Sequence, residues 1–181
     1  MAVHIALHET DTEFEGQPIS IAKKEHQSAA YLAMNPAGKV PTLLIDGRPL
    51  TEVCAILFYL AKRYPDAGLL PPDDDAEAQA HVISWMSFIA SGVHPIWSQG
   101  LDVATLVYRV ADQQLDGRDW AVGRYSIADI HLFRLFWRFT NKFEPKRGTF
   151  PNLERHYDRM MERPAVQKTI TAETAIGYNL P

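Results

Sequence analysis

Residues 35–56 read NPAGKVPTLLIDGRPLTEVCAI, and they carry the strongest structural signals in the chain. Residues 40–45 are a dense β-type run, and the Asp46-Gly47 pair that follows is typical of a tight hairpin turn. Residues 48–50 supply a short return strand. From Thr51 the apolar spacing changes to the helical period and holds until Tyr64-Pro65. The stretch therefore predicts a β-hairpin followed directly by a helix.

The residues before this stretch predict further short elements. Residues 4–9 have the pattern of the end of a helix. Residues 28–34 predict a short helix that Asn35-Pro36 stops, because the residue before a proline disfavours the helical region. Between the two helices, weak alternation of apolar residues over 14–21 predicts a half-buried strand. The first part of the chain is therefore predicted to be α/β.

The remainder of the chain reads as helical. Residues 69–75 (LLPPDDD) predict a linker, because paired prolines cannot continue a helix and the acids suit the N-terminus of the next one. The helices predicted after it span residues 76–97, 101–115, 127–139 and 153–163. We expect an α/β domain over residues 1–67 and an all-α domain over residues 75–181.

The composition indicates a soluble protein of the cytoplasm. The net charge of −4 over 181 residues gives no basic footprint and argues against a nucleic-acid partner. The apolar runs are shorter than a membrane helix of about 20 residues, and no secretory signal is recognisable. The single cysteine, Cys54, excludes an internal disulfide and fits a reducing compartment. Histidines are scattered without zinc spacing, so we expect no metal.

Residues 40–53 also predict a ligand site. If the Val40–Pro41 bond is cis, the backbone N–H and C=O of Val40 face outward and can pair with a peptide-like ligand; the alternative is a structural turn. The unpaired N–H groups at the start of the following helix favour an anion. Glu52 is either an ordinary acid that complements the helix dipole or the partner of a ligand ammonium group. A ligand that carries both a carboxylate and an ammonium group would bind the helix N–H groups with the first and Glu52 with the second.

These motifs carry a resemblance to a known family. Asn-Pro-x-Gly-Lys-Val-Pro at 35–41 and Leu-Thr-Glu-x-x-Ala-Ile at 50–56 resemble the glutathione-binding half of the bacterial glutathione transferases. Residues 85–94 are similar to the first long helix of their C-terminal domain, especially in the bacterial beta class. Residues 123–130 resemble the buried capping box of the family, and residues 162–166 its closing helix. The resemblance implies a thioredoxin-like N-terminal domain and an all-α C-terminal domain.

The resemblance also implies glutathione contacts. The Val40 backbone would bind the cysteinyl part of glutathione, while Glu52 and the Val53 N–H would hold the γ-glutamyl end. A lysine, Lys24 or Lys23, would reach the glycyl carboxylate. The implied glutathione-binding residues are therefore Val40, Pro41, Glu52, Val53 and Lys24.

Further residues receive a role from the resemblance or from their spacing. His94 matches a histidine that faces the active-site cleft, which implies a catalytic role in orienting the electrophile or donating a hydrogen bond. Without the resemblance, a lone histidine on an apolar helix is more often an ordinary core or helix-end residue. Ser126 and Asp129 have the spacing of a capping box, which we interpret as structural. Cys54 is interpreted as a small buried hydrophobe, not a nucleophile.

The sequence departs from the family pattern in three places. Val53 stands where many members have serine. Members begin with a strand and a loop whose Cys, Ser or Tyr contacts the glutathione sulfur, and no counterpart is recognisable here. Either the natural protein extends upstream, or the group that activates the thiol is truly absent. Between Trp97 and Leu101 the connection is shorter, through a real deletion that reshapes the second-substrate pocket or through an omission in the sequence.

The implied function is transfer of glutathione to small hydrophobic electrophiles, as in detoxification, by a homodimer. Surplus large apolar residues on the helix at 51–64 and on the first helix after the linker agree with a dimer. The alternative is a binding or regulatory protein of the same fold without chemistry, and a third possibility is a glutathione-dependent isomerase or dehalogenase. The electrophile itself is not identified by the sequence.

Overall fold

The structure, a computed structural model, describes residues 1–177 except for the side chains of Trp97 and Ser98. Its helices and strands are, in chain order, α1 (Ala2–Glu9), α2 (Ala29–Met34), β1 (Thr42–Ile45), β2 (Arg48–Thr51), α3 (Val53–Arg63), α4 (Ala76–Phe88), α5 (Leu101–Gln114), α6 (Ile127–Phe143), α7 (Pro151–Met161) and α8 (Pro164–Ala175). Short 3-10 turns lie at Glu25–Gln27, Pro65–Ala67 and Pro95–Ser98. No helix in this part of the chain is long and apolar enough to cross a membrane.

Strands β1 and β2 form the predicted antiparallel hairpin. Ile45 pairs with Arg48 at the turn, and Thr42 pairs with Thr51 at the open end. The turn residue Asp46 has φ 49° and the glycine after it φ 77°. Two consecutive positive φ angles are the type I′ geometry, whose twist matches that of the strands. The aspartate–glycine pair therefore sets the register of the hairpin.

The strand predicted over residues 14–21 is wrong. Residues 13–20 form irregular chain, and the sheet in the described residues consists of β1 and β2 alone. A strand needs a hydrogen-bonded neighbour, and a glycine and a proline interrupt this segment. The apolar side chain of Phe14 instead contacts the rings of His4 and His8, at centroid distances of 5.6 and 5.2 Å.

The predicted helix over residues 76–97 is also wrong in its last part. Helix α4 ends at Phe88, and a π-helical turn follows at Ile89–Val93. The N–H of His94 donates to the carbonyl of Ile89 at 2.8 Å, so this turn is one residue wider than an α-helical turn. The apolar positions of the prediction are nevertheless all buried: Val82, Trp85, Met86, Ile89 and Val93.

Helix α6 lies at the centre of the molecule. It packs against α1, α3, α4 and α7, so elements from both halves of the chain share its core. Its large buried apolar side chains are Ile127, Ile130, Leu132, Phe133, Leu135, Phe136 and Phe139. Tyr108 of α5 packs on Phe139 with a centroid distance of 4.4 Å and donates its hydroxyl to the carbonyl of Leu135 at 2.8 Å.

Polar contacts join the two halves at two further points. The guanidinium of Arg163 donates to Glu9 at 2.6 Å, and the hydroxyl of Tyr125 donates to the same carboxylate at 2.8 Å. At the second point, the thiol of Cys54 in α3 donates to the carbonyl of Met86 in α4 at 3.7 Å. Burial raises the pKa of the Cys54 thiol most, and the negative charge of Glu52 raises it further. Both observations agree with a structural cysteine.

The predicted capping box begins α6 and is fully buried. The N–H of Ala128 donates to Ser126 Oγ at 3.3 Å, and the N–H of Ser126 donates to Asp129 Oδ2 at 2.9 Å. The second carboxylate oxygen, Asp129 Oδ1, accepts from the N–H of Ala121 at 2.8 Å and lies 3.0 Å from His156 Nε2. One buried carboxylate thus joins the start of α6, the preceding loop and α7.

Replacing Asp129 should destabilise the fold strongly. Asp129→Ala leaves two buried backbone N–H groups and the His156 ring without their acceptor, and we expect a loss of about 3–5 kcal/mol in the free energy of unfolding. Ser126→Ala should cost about 1–2 kcal/mol, since the carboxylate keeps its other donors. Urea unfolding followed by circular dichroism measures both. Asp158→Asn, in a surface ion pair, is the control and should change little. Equal effects of Asp129→Ala and the control would refute this assignment.

Candidate functional site

The backbone of Val40 is open to a ligand. The Val40–Pro41 peptide bond is cis, and Val40 is 41% exposed. The loop before it is fixed because its Lys39 carbonyl accepts from the Asn35 side chain at 2.7 Å and from the Tyr31 hydroxyl at 2.6 Å. Among residues 1–177, no hydrogen bond engages the backbone N–H or C=O of Val40. A rigid loop therefore presents an unpaired peptide unit of the kind that an extended ligand can join.

Glu52 immediately precedes α3 in a conformation that non-glycine residues rarely adopt. Its φ is 69° and its ψ is 121°. Its carbonyl accepts the first helical hydrogen bond from the N–H of Ile56 at 3.0 Å, but its exposed side chain caps no N–H of the helix. Within the described chain, the N–H of Val53 also lacks an intramolecular partner. The helix start therefore leaves both a carboxylate and N–H donors free for a ligand.

The structure does not bring the predicted lysine to these groups. Lys24 and Lys23 are both exposed in a turn fixed by its backbone, where the N–H of Lys24 donates to the carbonyl of Ile21 at 3.0 Å. Neither ammonium group makes an ion pair or hydrogen bond with Glu52 in the described part of the chain. The contact of Lys24 with the glycyl carboxylate stays a prediction from the resemblance.

His94 is exposed at the end of the π-helical turn and belongs to the same region as Glu52. Burial of part of its ring lowers the pKa of His94, and nearby positive charges lower it further. Those charges belong to Arg134, Arg138 and Lys39. The carboxylate of Glu52 acts in the opposite direction on this pKa, so the two residues lie within electrostatic range. At neutral pH the imidazole is therefore uncharged.

The ring of His94 lines a small cavity between the π-helical turn, α5 and α6. Its walls are mostly apolar, with Arg138 and the Tyr108 ring among them. The apolar lining residues are Val93, Ile96, Ala104, Leu135, Phe139 and Phe143. Its volume of about 10 Å³ is that of a space for one water molecule, so in this conformation it is too small for an organic ligand.

Sequence reasoning missed the charged face of α6. Arg134 and Arg138 lie one helical turn apart, and burial lowers the pKa of both, that of Arg138 to about 10. One turn earlier, burial lowers the pKa of His131 to about 3, so this buried ring is neutral. The signal was present in the sequence, because three basic residues at helical spacing (His131, Arg134 and Arg138) interrupt an otherwise apolar helix.

The strain at Glu52 predicts that a glycine there stabilises the ligand-free protein. Glu52→Gly relieves about 1–3 kcal/mol of backbone strain and loses about 0.5–1 kcal/mol through the greater freedom of glycine in the unfolded chain. We therefore expect a net gain of about 1 kcal/mol in the free energy of unfolding, measured by urea denaturation. Glu52→Gln keeps the strain and should leave stability unchanged. A destabilised Glu52→Gly protein would show that this conformation stores no strain.

Comparisons with known proteins agree along the chain. The family model of the glutathione S-transferase N-terminal domain matches residues 1–62, and that of the C-terminal domain matches residues 101–164. Glutathione S-transferase GstA of Escherichia coli O157:H7 is 32% identical over 190 residues, covering 96% of this chain and 93% of that protein. Maleylacetoacetate isomerase of Pseudomonas aeruginosa is 31% identical over 194 residues, covering 92% and 88%.

Solved structures give the same result. A sphingomonad glutathione S-transferase complexed with glutathione matches with a TM-score of 0.82 and 31% identity, covering 96% of this chain and 93% of that one. The bacterial transferase BphK, in a ternary complex, matches with a TM-score of 0.84 and 30% identity, covering 96% and 94%. The fold is therefore a thioredoxin-like N-terminal domain joined to an all-α C-terminal domain. With matches to both domain models and with relatives of such identity across nearly its whole length, the chain belongs to the glutathione S-transferase family.

Proposed function

We propose that this protein is a glutathione transferase that transfers the glutathione thiolate to small hydrophobic electrophiles. The observation that carries the proposal is the set of unused groups around the start of α3. The backbone of Val40, the carboxylate of Glu52 and the N–H of Val53 have no intramolecular partners among the described residues. Related transferases have been solved with glutathione bound.

Each free group has a counterpart in glutathione. The cysteinyl amide would pair with the Val40 backbone as an added strand does. The γ-glutamyl carboxylate would accept from the Val53 N–H at the positive end of α3, and its ammonium would pair with Glu52. Lys24 would meet the glycyl carboxylate. Glutathione would thus be held at three points, which fixes the direction of its thiol.

The chemistry would be displacement or addition by the thiolate. The thiol loses its proton, the sulfur forms a bond to the electrophilic carbon, and a leaving group, where there is one, departs with its electron pair. Positive charge favours the thiolate, and Arg134 and Lys39 supply it around His94. The neutral His94 would orient the electrophile or donate a hydrogen bond to it.

A binding and turnover experiment tests this function. Calorimetry should show glutathione binding to the wild-type protein, and Glu52→Gln should weaken it about tenfold or more by removing a charged partner. Glu13→Gln, an exposed acid in the irregular segment, is the matched control and should bind normally. With chlorodinitrobenzene as the electrophile, His94→Ala should lower kcat without changing the Kd for glutathione.

The outcomes separate the alternatives. Absence of glutathione binding in the wild-type protein would refute the proposal. Binding without conjugation of any electrophile would favour a non-catalytic protein of the same fold. A loss of glutathione affinity in His94→Ala would move His94 from the electrophile to the glutathione site.

We also propose that the protein is a homodimer formed through α4 and α5. Leu106 of α5 is 65% exposed, and Val103 and Val110 extend its apolar stripe by one turn in each direction. Ile83 of α4 is 47% exposed, and Phe58 of α3 is exposed as well. A set of apolar side chains on neighbouring helices is more typical of an interface than of a free surface.

The dimer is tested by charge at the centre of the stripe. Leu106→Glu should convert the dimer to a monomer in sedimentation experiments, because two buried like charges would meet across a two-fold axis. Ile176→Glu changes an equally apolar but isolated exposed residue and should leave the mass unchanged. A monomeric wild-type protein would refute the assembly.

Two more proposals accompany the function. We place the domain division between residues 67 and 75, as the linker pattern predicts. We place the protein in the cytoplasm, in a role in detoxification, since the single cysteine needs no oxidising compartment. Cell fractionation that recovers the protein outside the cytosol would contradict this location.

A further inference from the structure

The peptide unit between Lys39 and Val40 is held from inside the protein. Its carbonyl oxygen, on Lys39, accepts from the Tyr31 hydroxyl at 2.6 Å and from the Asn35 side-chain amide at 2.7 Å. Tyr31 and Asn35 are buried, with 5% and 4% of their surfaces exposed, whereas Lys39 and Val40 are exposed. Two buried donors therefore fix the orientation of a peptide unit whose own side chains lie in solvent.

The direction of this carbonyl determines the direction of the N–H in the same peptide unit. The Lys39–Val40 bond is trans, since the cis bond of the described chain is Val40–Pro41. In a planar trans peptide unit the C=O and the N–H point in opposite directions. A Lys39 carbonyl that points inward to Tyr31 and Asn35 therefore sends the Val40 N–H outward. Among residues 1–177 this N–H has no intramolecular partner.

A turn of fixed shape brings the carbonyl to its two donors. The N–H of Gly38 donates to the Asn35 carbonyl at 2.9 Å, and the N–H of Ala37 donates to Asn35 Oδ1 at 3.1 Å. Gly38 has φ 59°, and a Cβ atom there would lie 3.2 Å from the carbonyl oxygen of His26, so a larger residue does not fit. Asn35 thus both closes the turn and donates to the carbonyl that follows it.

The hydrogen atoms of this cluster can all be assigned. Tyr31 has a single hydroxyl hydrogen, which it donates to the Lys39 carbonyl, so its oxygen accepts from the Thr42 hydroxyl at 3.0 Å. The Thr42 oxygen accepts in turn from the second amide hydrogen of Asn35 at 3.3 Å. Within the described chain, none of these three side chains has a buried polar atom without a partner. Both lone pairs of the Lys39 carbonyl are used, which leaves the peptide unit one satisfied orientation.

We propose that Tyr31 and Asn35 are positioning residues for glutathione binding. They do not touch the ligand; they hold the Lys39–Val40 peptide unit in the orientation in which its N–H can donate to glutathione. This inference rests on the proposed function, because it assigns the support of the same site. A donor that is already oriented loses less conformational entropy on binding, so the pair raises affinity without adding a contact.

Affinity measurements on single variants test this role. Calorimetry should show that Tyr31→Phe binds glutathione about three- to tenfold more weakly than the wild type, as expected when one of the two orienting hydrogen bonds is lost. Asn35→Ala also opens the turn and should weaken binding by about tenfold or more. Thr42→Val removes a hydroxyl from the same cluster but leaves both donors on the Lys39 carbonyl, so it should bind like the wild type.

Steady-state kinetics separate positioning from a general structural effect. With chlorodinitrobenzene as the electrophile, Tyr31→Phe should raise the KM for glutathione about as much as the Kd and leave kcat unchanged. Partial unfolding would instead remove active enzyme, which lowers the apparent kcat and leaves KM unchanged. Tyr125→Phe is the matched control, because it removes a tyrosine hydroxyl that donates to Glu9 outside the cluster, and it should bind glutathione like the wild type.

The ligand-free protein supplies a readout that needs no glutathione. In NMR relaxation measurements the Val40 N–H should have an order parameter of about 0.85 in the wild type and in Thr42→Val, as in rigid backbone, and below about 0.6 in Asn35→Ala. A Val40 N–H that stays rigid in Asn35→Ala, or an unchanged glutathione affinity in Tyr31→Phe and Asn35→Ala, would overturn the positioning role.

Failure of the positioning role and failure of the proposed function give different results. A wild-type protein that never binds glutathione, but whose Val40 N–H loses its order in Asn35→Ala, would overturn the transferase function and retain the positioning of the peptide unit. Normal glutathione binding and conjugation in both Tyr31→Phe and Asn35→Ala would retain the function and overturn the positioning role.

Discussion

The buried carboxylate of Asp129 is the interaction on which the arrangement of this molecule depends. A charge without water needs several donors, and here the backbone of Ser126, the backbone of Ala121 and the ring of His156 provide them. These donors belong to the start of α6, the loop before it and α7. Because they can meet at one carboxylate in only one arrangement, the direction in which α6 enters the core is fixed. The other helices then pack around α6.

The direction of α6 determines what the site contains. One face of the helix buries Phe133, Phe136 and Phe139 in the core, and Arg138 of the same helix lines the cavity. The π-helical turn after α4 contributes from the opposite side, since its extra residue brings His94 outward at the cavity wall. On the N-terminal side the backbone is held in an unfavourable conformation at Glu52. Local irregularity on both sides therefore supplies groups that regular helices would have used internally.

Local signals explain which parts of this structure were predictable from the sequence. The hairpin follows from two turn residues, the capping box from one serine and one acid at fixed spacing, and the start of α3 from a change of apolar period. The prediction of a strand over residues 14–21 was wrong because a strand needs a paired neighbour, and a local pattern cannot show whether one is present. The π-helical turn at Ile89–Val93 was not predicted because its apolar residues also fit a regular α-helix.

The residues of the candidate site also differ in how far local sequence could predict them. Val40, Glu52 and Val53 could be proposed from the sequence because their backbone setting is encoded within a few residues. Arg134 was not singled out, because its partial burial is a property of the tertiary structure. The sequence showed a basic residue in an apolar helix, which by itself is equally a half-exposed surface arginine.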